Sequence, residues 1–181
     1  MVGIRTIRPT EVMIMETNID KIKQSMKLKE NENYKFYSFI KRKYDFEDKN
    51  LKRLVEEITG KVWSQIDCSK CGNCCREVYA TFNENDISRI SKKLGISIED
   101  FKNQYLTYDN SEQKFETKDL PCPFLKENSC SIHEYKPEAC VEFPYLHRDI
   151  RQRMHGLLER AEICPVVYNV LEELKSRLWR K

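Results

Sequence analysis

The chain has 181 residues, 40% of them hydrophobic and 34% charged, with a formal net charge of +3. That length allows one domain with its own hydrophobic core, and no apolar run approaches the roughly 20 residues of a membrane-spanning helix, so the sequence predicts a soluble globular protein without a membrane span. The first twenty residues show no secretory-signal pattern, so we expect reduced cysteines and a cytoplasmic location.

The N-terminal part of the chain, residues 1–62, is predicted to be a helical extension. Apolar side chains recur at helical spacing between Asp48 and Ile58, and Gly60 follows them. This pattern predicts an amphipathic helix that stops at the glycine. We expect its apolar side to pack on the cysteine-rich part of the chain.

Two further helices are predicted after the first cysteines. Glu84–Leu94 has helical periodicity and ends at Gly95, and Ser97 with Asp100 three residues later approximates a capping box that opens a helix toward Leu106. Four apolar residues of this region are expected in the core: Leu94, Ile98, Phe101 and Leu106.

The remaining elements are short, apart from two C-terminal helices. Residues 107–118 alternate polar and aromatic side chains, which predicts a weak hairpin. Pro137 is expected to be the first residue of a short helix that carries Cys140. Residues 148–163 and 166–179 are predicted to be helices separated at Cys164-Pro165, because proline cannot continue the helical hydrogen bonds.

These elements predict a mainly α fold with irregular, metal-tied loops and one short hairpin. The domain organisation that we expect has three parts. An N-terminal helical extension covers residues 1–62, a cysteine-cluster domain covers residues 63–165, and a C-terminal helix in residues 166–181 packs on that domain.

Eight cysteines dominate the chemistry of the sequence. Four of them form the motif Cys68-x2-Cys71-x2-Cys74-Cys75, in which two-residue intervals let one tight turn direct several sulfurs at a common point. The other four are dispersed, so a centre built with them would tie distant segments together. The candidate metal ligands are Cys68, Cys71, Cys74, Cys75, Cys122, Cys130, Cys140 and Cys164.

Three chemistries compete for these thiols. Disulfides need an oxidising compartment or a hyperthermophilic cytosol, and neighbouring cysteines could pair only through a strained ring. Structural zinc usually takes two Cys-x2-Cys pairs, and the second pair is missing here. The Cys-x2-Cys-x2-Cys motif is the three-thiolate turn of bacterial ferredoxins, whose fourth cysteine is often followed by proline, as in Cys122-Pro123 and Cys164-Pro165. An iron–sulfur cluster of the 4Fe-4S type therefore ranks ahead of zinc, and both stay open.

Several residues near the cysteines have simpler interpretations. Since neighbouring side chains diverge, Cys74 and Cys75 are expected to serve different metals unless one is a buried thiol. Cys164 could equally be a small buried side chain. The three histidines, among them His133 two residues after Cys130, are expected to be surface or supporting residues and not ligands. Polar groups beside the motif are expected to donate hydrogen bonds to the anionic sulfurs. Those groups belong to Lys70, Asn73 and Arg76.

The order and spacing of five segments resemble a known family. These segments are Cys68-Ser-Lys-Cys71-Gly-Asn-Cys74-Cys75, Asp86-Ile-Ser-Arg-Ile with Leu94-Gly95-Ile96-Ser97, Pro121-Cys122-Pro123-Phe124-Leu125, Cys130-Ser-Ile132, and Lys136-Pro137-Glu-Ala-Cys140-Val-Glu-Phe143-Pro144. They resemble the CxxCxxCC family of zinc- or iron-chelating, YkgJ-like cysteine-cluster proteins over about residues 65–165. The chain departs from that family at His133, where tyrosine is common, and at Lys136, where arginine is common.

The resemblance implies one enzymatic activity. The best-known functional member of the family is the flagellin lysine N-methylase, a longer protein, so the resemblance implies a protein lysine N-methyltransferase that uses S-adenosylmethionine and an iron–sulfur centre. The residues themselves offer no glycine-rich nucleotide turn. The Cys-x3-Cys-x2-Cys spacing of radical S-adenosylmethionine enzymes is also absent, because Val78 stands where the third cysteine would be.

The functional hypothesis is therefore a cysteine-ligated metal-binding protein of unassigned activity. The alternatives are the methyltransferase, an electron or metal carrier, and a zinc-stapled structural or interaction domain, whose metal-binding free energy would become folding free energy. The expected partner is another protein. Nucleic acid is not expected, because the basic ends of the chain lack the motifs of RNA- and DNA-binding domains.

Overall fold

The computed structural model describes residues 14–179, and helices make up most of this part of the chain. The helices are α1 (Ile19–Leu28), α2 (Glu30–Lys43), α3 (Lys49–Trp63), α4 (Cys68–Cys71), α5 (Cys74–Glu77), α6 (Glu84–Leu94), α7 (Ile98–Tyr105), α8 (Glu138–Glu142), α9 (Ile150–Ala161) and α10 (Pro165–Leu178). The strands are β1 (Thr81–Phe82), β2 (Leu106–Asp109), β3 (Lys114–Thr117), β4 (Leu125–Lys126) and β5 (Ser129–Cys130). The predicted mainly α fold is confirmed.

The long helices enclose the first of two hydrophobic cores. Helices α1, α2, α3, α9 and α10 contribute buried apolar side chains to it, including the fully buried Phe36, Ile58 and Leu174. The ammonium of Lys175 is also buried here, where it donates to Asn33 and forms an ion pair with Glu172 at 2.6 Å. The two ends of the described chain therefore pack together in one core.

A second, smaller core lies between α6, α7 and the strands. The rings of Phe82, Phe101 and Phe124 lie within 6.4 Å of one another, centroid to centroid, and are almost completely buried. An antiparallel sheet in the order β1-β3-β2 borders this core, and β4 pairs with β5 in a separate hairpin. Cys122 belongs to this core, whereas Cys164 belongs to the first.

Local signals in the sequence predicted several of these elements. Helix α6 has the predicted bounds and ends at Gly95, whose left-handed φ of 72° glycine adopts without a Cβ clash. Ser97 caps α7 by accepting the N–H of Asp100 at 3.0 Å. Strands β2 and β3 form the predicted hairpin, and the chain breaks as predicted between α9 and α10, which begins at Pro165.

Other local predictions were wrong. Gly60 does not end its helix, because α3 continues to Trp63 and buries Val62 completely, which offsets the roughly 1 kcal/mol that a mid-helix glycine costs. Leu94 and Ile98 are 38% and 45% exposed, since both lie at the solvent-facing turn between α6 and α7. Phe101 and Leu106 are buried as expected.

Other sequence-based predictions concern the chain ends and short elements. Pro137 is the N-cap residue of α8, so the helix begins one residue later than predicted, at Glu138. Within the described residues, no helix combines the length and apolar character needed to cross a bilayer. The predicted extension of residues 1–62 lies partly outside the described residues, and the proposed domain limits stay predictions.

Candidate metal centre

Two short helices position the first four cysteines. Asp67 accepts the backbone N–H of Ser69 at 3.0 Å and so caps α4, which carries Cys68 and Cys71. Gly72 then turns the chain with a left-handed φ of 60°, and α5 begins at Cys74. The motif is therefore two single helical turns joined by a left-handed bend, and both turns present their cysteines toward the same cavity.

The bend at Gly72 is packed against the turn between β4 and β5. A Cβ on Gly72 would lie 2.8 Å from the backbone oxygen of Asn128, so the two segments approach too closely for a side chain. Arg76 holds the same contact by donating to the carbonyls of Cys71 at 3.2 Å and Glu127 at 2.9 Å, and to the side chain of Asn128. This contact places Cys130, the last residue of β5, beside the motif.

Backbone hydrogen bonds also bring Cys122 to the motif. The N–H of Cys122 donates to the carbonyl of Cys75 at 2.7 Å. The chain then turns, with the Leu125 N–H bonded to the Cys122 carbonyl at 2.9 Å, and Leu125 pairs with Cys130 across the hairpin. Cys75, Cys122 and Cys130 are thus fixed to one another through the main chain.

The last two cysteines come from helices near the C-terminus. Cys140 lies on α8, whose first N–H, that of Glu138, donates to the buried carboxylate of Asp86 at 3.2 Å. Cys164 lies between α9 and α10, next to Ile163, whose carbonyl accepts the amide of the buried Asn73 at 2.8 Å. Asn73 therefore ties the motif to the first core.

All eight cysteines line one cavity of about 570 Å³. The cavity lies where the two cores meet, because its wall includes Ile66 and Val166 of the first core and Phe82 and Phe124 of the second. Among the cysteine, histidine and carboxylate side chains of residues 14–179, no three converge in an arrangement that could hold one metal ion. The thiols surround a space instead of meeting at a point.

Within this ring, the thiols fall into two neighbourhoods. Cys75 lies within electrostatic reach of three partners on the side of the second core. On the side of the first core, burial raises the pKa of Cys164, and the thiols of Cys68 and Cys74 raise it further, as Cys71 does for Cys68. The three partners of Cys75 are Cys122, Cys130 and Cys140.

Cys74 belongs to both neighbourhoods, since it also lies within electrostatic reach of Cys122, Cys130 and Cys140. The expectation that Cys74 and Cys75 serve different metals stays a prediction. Interaction between these two adjacent thiols raises the pKa of Cys74 and lowers the pKa of Cys75.

Burial keeps most of the other thiols protonated in the absence of a cation. It raises the pKa of Cys140 and of Cys164 to about 12, and it raises the pKa of Cys68, Cys122 and Cys130 as well. Such thiols become thiolates when a metal ion replaces the proton, because the ion supplies the positive charge that burial removes from water. The donor set therefore fits a thiolate-bound metal or cluster.

The cavity wall is positively charged, although the surrounding segment is acidic. Residues 63–146 carry 14 acidic against 10 basic side chains, yet no Asp or Glu is among the described residues that line the cavity. Its cations are Lys114, Lys136 and Arg160. The Lys136 ammonium opposes the burial-driven rise in the pKa of Cys68, Cys130 and Cys140.

The polar groups predicted to surround the sulfurs have different partners. Lys70 forms an ion pair with Asp67 at 3.2 Å, and the amide of Asn73 and the guanidinium of Arg76 donate to carbonyls, as described above. Sequence reasoning missed Trp63, which lines the cavity. Burial raises the pKa of Cys68, and the Trp63 side chain opposes that rise. A tryptophan at the end of an amphipathic helix gives no sequence signal for this role.

The histidines contribute little to the cavity. His133 is exposed and lies at the cavity wall. His147 and His155 are exposed and do not line it, and His155 lies 3.6 Å from the carboxylate of Glu159.

Comparison with known proteins gives one match. The family model CxxCxxCC, described as "Putative zinc- or iron-chelating domain", matches residues 67–165, which is more than half of the chain. No curated protein and no solved structure matches the chain. The matched range includes all eight cysteines and the helices α4 to α9.

Proposed function

Since the chain belongs to the CxxCxxCC family and carries its zinc- or iron-chelating domain, we propose that its cysteines hold iron–sulfur centres. The eight thiols would supply the ligands, and the cluster, when bound, would supply either electron transfer or an iron site that binds substrate. The residues of the chain position the thiols, exclude much of the water and balance the charge.

The observation that carries this proposal is the size of the space that the thiols surround. Four sulfurs on one zinc ion each lie about 2.3 Å from it, so they approach one another within about 3.8 Å. Here the thiols line a cavity of about 570 Å³ without three of them converging on one point. A cluster fits this arrangement better, because its irons and sulfides fill the space between the cysteine sulfurs.

The two neighbourhoods support two sets of ligands. We assign Cys75 and its three neighbours to one set and Cys74 to the other, with Cys68, Cys71 and Cys164. Each set would have four thiolates, which is the number that a 4Fe-4S cluster takes. Because Cys74 lies near both sets, its loss would affect both centres.

The test is metal and sulfide analysis of protein purified without oxygen. The proposal predicts iron with an equimolar amount of acid-labile sulfide and a broad absorption band at the edge of the visible range. Zinc without sulfide would contradict it and would favour a zinc-stapled structural or interaction domain with a protein partner.

Methyl transfer is the second candidate function. Its support is the cavity volume, which lies within the range of small-molecule sites, about 300–1,000 Å³. Calorimetry of metal-loaded protein with S-adenosylmethionine tests it, and measurable heat of binding is the expected result. Absence of binding to fully loaded protein would remove this candidate and leave the metal proposal intact.

A further inference from the structure

Three guanidinium groups surround one aromatic ring beside the cysteine cavity. The central carbons of Arg148, Arg153 and Arg160 lie 5.2, 5.6 and 5.3 Å from the centre of the Tyr145 ring. Tyr145 and Arg160 both line the cavity, whereas Arg148 and Arg153 are not among its lining residues. The shared Tyr145 ring therefore connects the guanidinium group in the cavity wall to two others outside it.

Among the described residues, these three charges have a single carboxylate partner. Arg148 forms an ion pair with Glu142. Within residues 14–179, the half-buried side chains of Arg153 and Arg160 make neither an ion pair nor a hydrogen bond. The nearby acids have other contacts, since Asp149 accepts two backbone N–H groups and Glu159 lies beside His155. The π face of Tyr145 attracts these cations, but it leaves the N–H donors of Arg153 and Arg160 without a charged acceptor.

The backbone is shaped around this arrangement in two places. Tyr145 adopts a left-handed φ of 66°, a conformation that is strained for a residue with a side chain. Gly156 lies in the interior of α9, where glycine is less favourable than alanine. A Cβ on Gly156 would lie 2.6 Å from Nη1 of Arg160, so the glycine provides the space that this guanidinium occupies.

The wall of the cavity favours the same kind of ligand. It has no Asp or Glu among its described residues, and Lys136 adds to the positive charge of Arg160, whereas Lys114 forms an ion pair with Glu112 at 3.6 Å. The Tyr145 hydroxyl is directed to the carbonyl of Ala139, at 3.4 Å, so the ring presents its face to the guanidinium groups.

We propose that Arg153 and Arg160, held on the face of the Tyr145 ring, form a binding site for the oxyanion group, carboxylate or phosphate, of a small ligand that enters the cysteine cavity. Guanidinium groups bind both oxyanions through paired N–H donors. This site goes beyond the metal function and does not require it, because neither arginine belongs to the thiol sets.

The experiment is calorimetric titration of the full chain, as purified without oxygen, with inorganic phosphate and, separately, with acetate at constant ionic strength. Arg160→Gln and Gly156→Ala are the test variants. The first removes the charge, and the second keeps the charge but displaces the guanidinium. Their matched controls are Arg53→Gln, an exposed position on α3, and Gly60→Ala, where a Cβ meets nothing within 4 Å.

The proposal predicts that at least one anion binds the wild-type protein, and that both test variants weaken this binding about tenfold or more while both controls leave it unchanged. The preferred anion identifies the ligand group. Absence of binding to the wild type, or equal binding to Arg160→Gln, would overturn the proposal. Metal content is measured on every sample, so a chain that binds no metal would contradict the metal proposal without affecting the anion result.

Discussion

At the scale of single residues, Gly72 shows how closely the cysteine motif is packed. Its left-handed φ of 60° and its approach to the Asn128 carbonyl leave no room for a side chain. Gly95 has a similar φ of 72° but open space around it. The two glycines therefore separate the effect of backbone conformation from the effect of packing.

We expect Gly72→Ala to lower the free energy of unfolding by about 1–3 kcal/mol more than Gly95→Ala does, because only the first change forces two backbone segments apart. Urea unfolding measures the difference. Gly72→Ala should also lower the metal content, since Cys71 and Cys74 flank the displaced bend. Equal losses of stability in the two variants would contradict the packing argument.

Three cysteine substitutions test the two ligand sets. Cys164→Ala should remove about half of the bound metal, and Cys140→Ala should remove the other half, because each residue is assigned to a different four-thiolate centre. Cys74→Ser should lose nearly all metal, since Cys74 neighbours both sets. Metal analysis of each purified variant gives the answer. Full metal content in Cys164→Ala would mean that Cys164 only packs in the first core and is not a metal ligand.

The spacing of the cysteines was enough to predict that the motif serves a metal, and the family match supports a chelating domain. The supporting contacts could not be predicted in the same way. Asn73 bonds to a carbonyl 90 residues away, and Arg76 to one 51 residues away. These partners are set by the packing of two cores, which the residues around the motif do not reveal.

Among the helices, the contact between α6 and α8 fixes the position of Cys140. The Asp86 carboxylate, 4% exposed, accepts the N–H of Glu138 and pairs with Arg89 at 2.8 Å, while it also completes the cap of α6. One buried side chain thus serves two helices. The corresponding Asp100 of α7 is exposed, and its carboxylate accepts the Ser97 hydroxyl at 2.6 Å instead of a backbone N–H.

We expect Asp86→Ala to lower the free energy of unfolding by about 2–4 kcal/mol, because it leaves buried donors without an acceptor. Asp100→Ala, the matched control, should cost about 1 kcal/mol or less. Urea unfolding and the rate of metal loss to a chelator measure both effects. Asp86→Ala should release metal faster than wild type, and an unchanged release rate would mean that α8 is held by other contacts.

Local sequence signals predicted helix ends and turns correctly where neighbouring residues alone determine them. The capped starts of α6 and α7 and the hairpin of β2 and β3 follow from residues within four positions of each other. The prediction that Gly60 ends its helix was wrong, because the free energy gained by burying Val62 in the first core exceeds the helix-destabilising effect of the glycine. Tertiary packing decides such cases, and the sequence pattern of one segment does not contain it.

At the scale of the whole molecule, the cysteine cavity joins two separate hydrophobic cores. Metal binding should therefore stabilise the junction and the smaller core more than the larger one. Removal of metal by a chelator should increase amide hydrogen exchange in α4, α5, α8 and the hairpin of β4 and β5. Exchange in α3 and α10 should change little, since their core includes fully buried Ile58 and Leu174. A uniform increase along the chain would contradict this two-core description.

Metal-edge X-ray absorption of protein purified without oxygen would show whether the cysteine thiols hold iron–sulfur centres. We expect an iron edge with a sulfur shell and a second shell of iron at the spacing of a cluster. A zinc edge with one sulfur shell and no metal neighbour would contradict it.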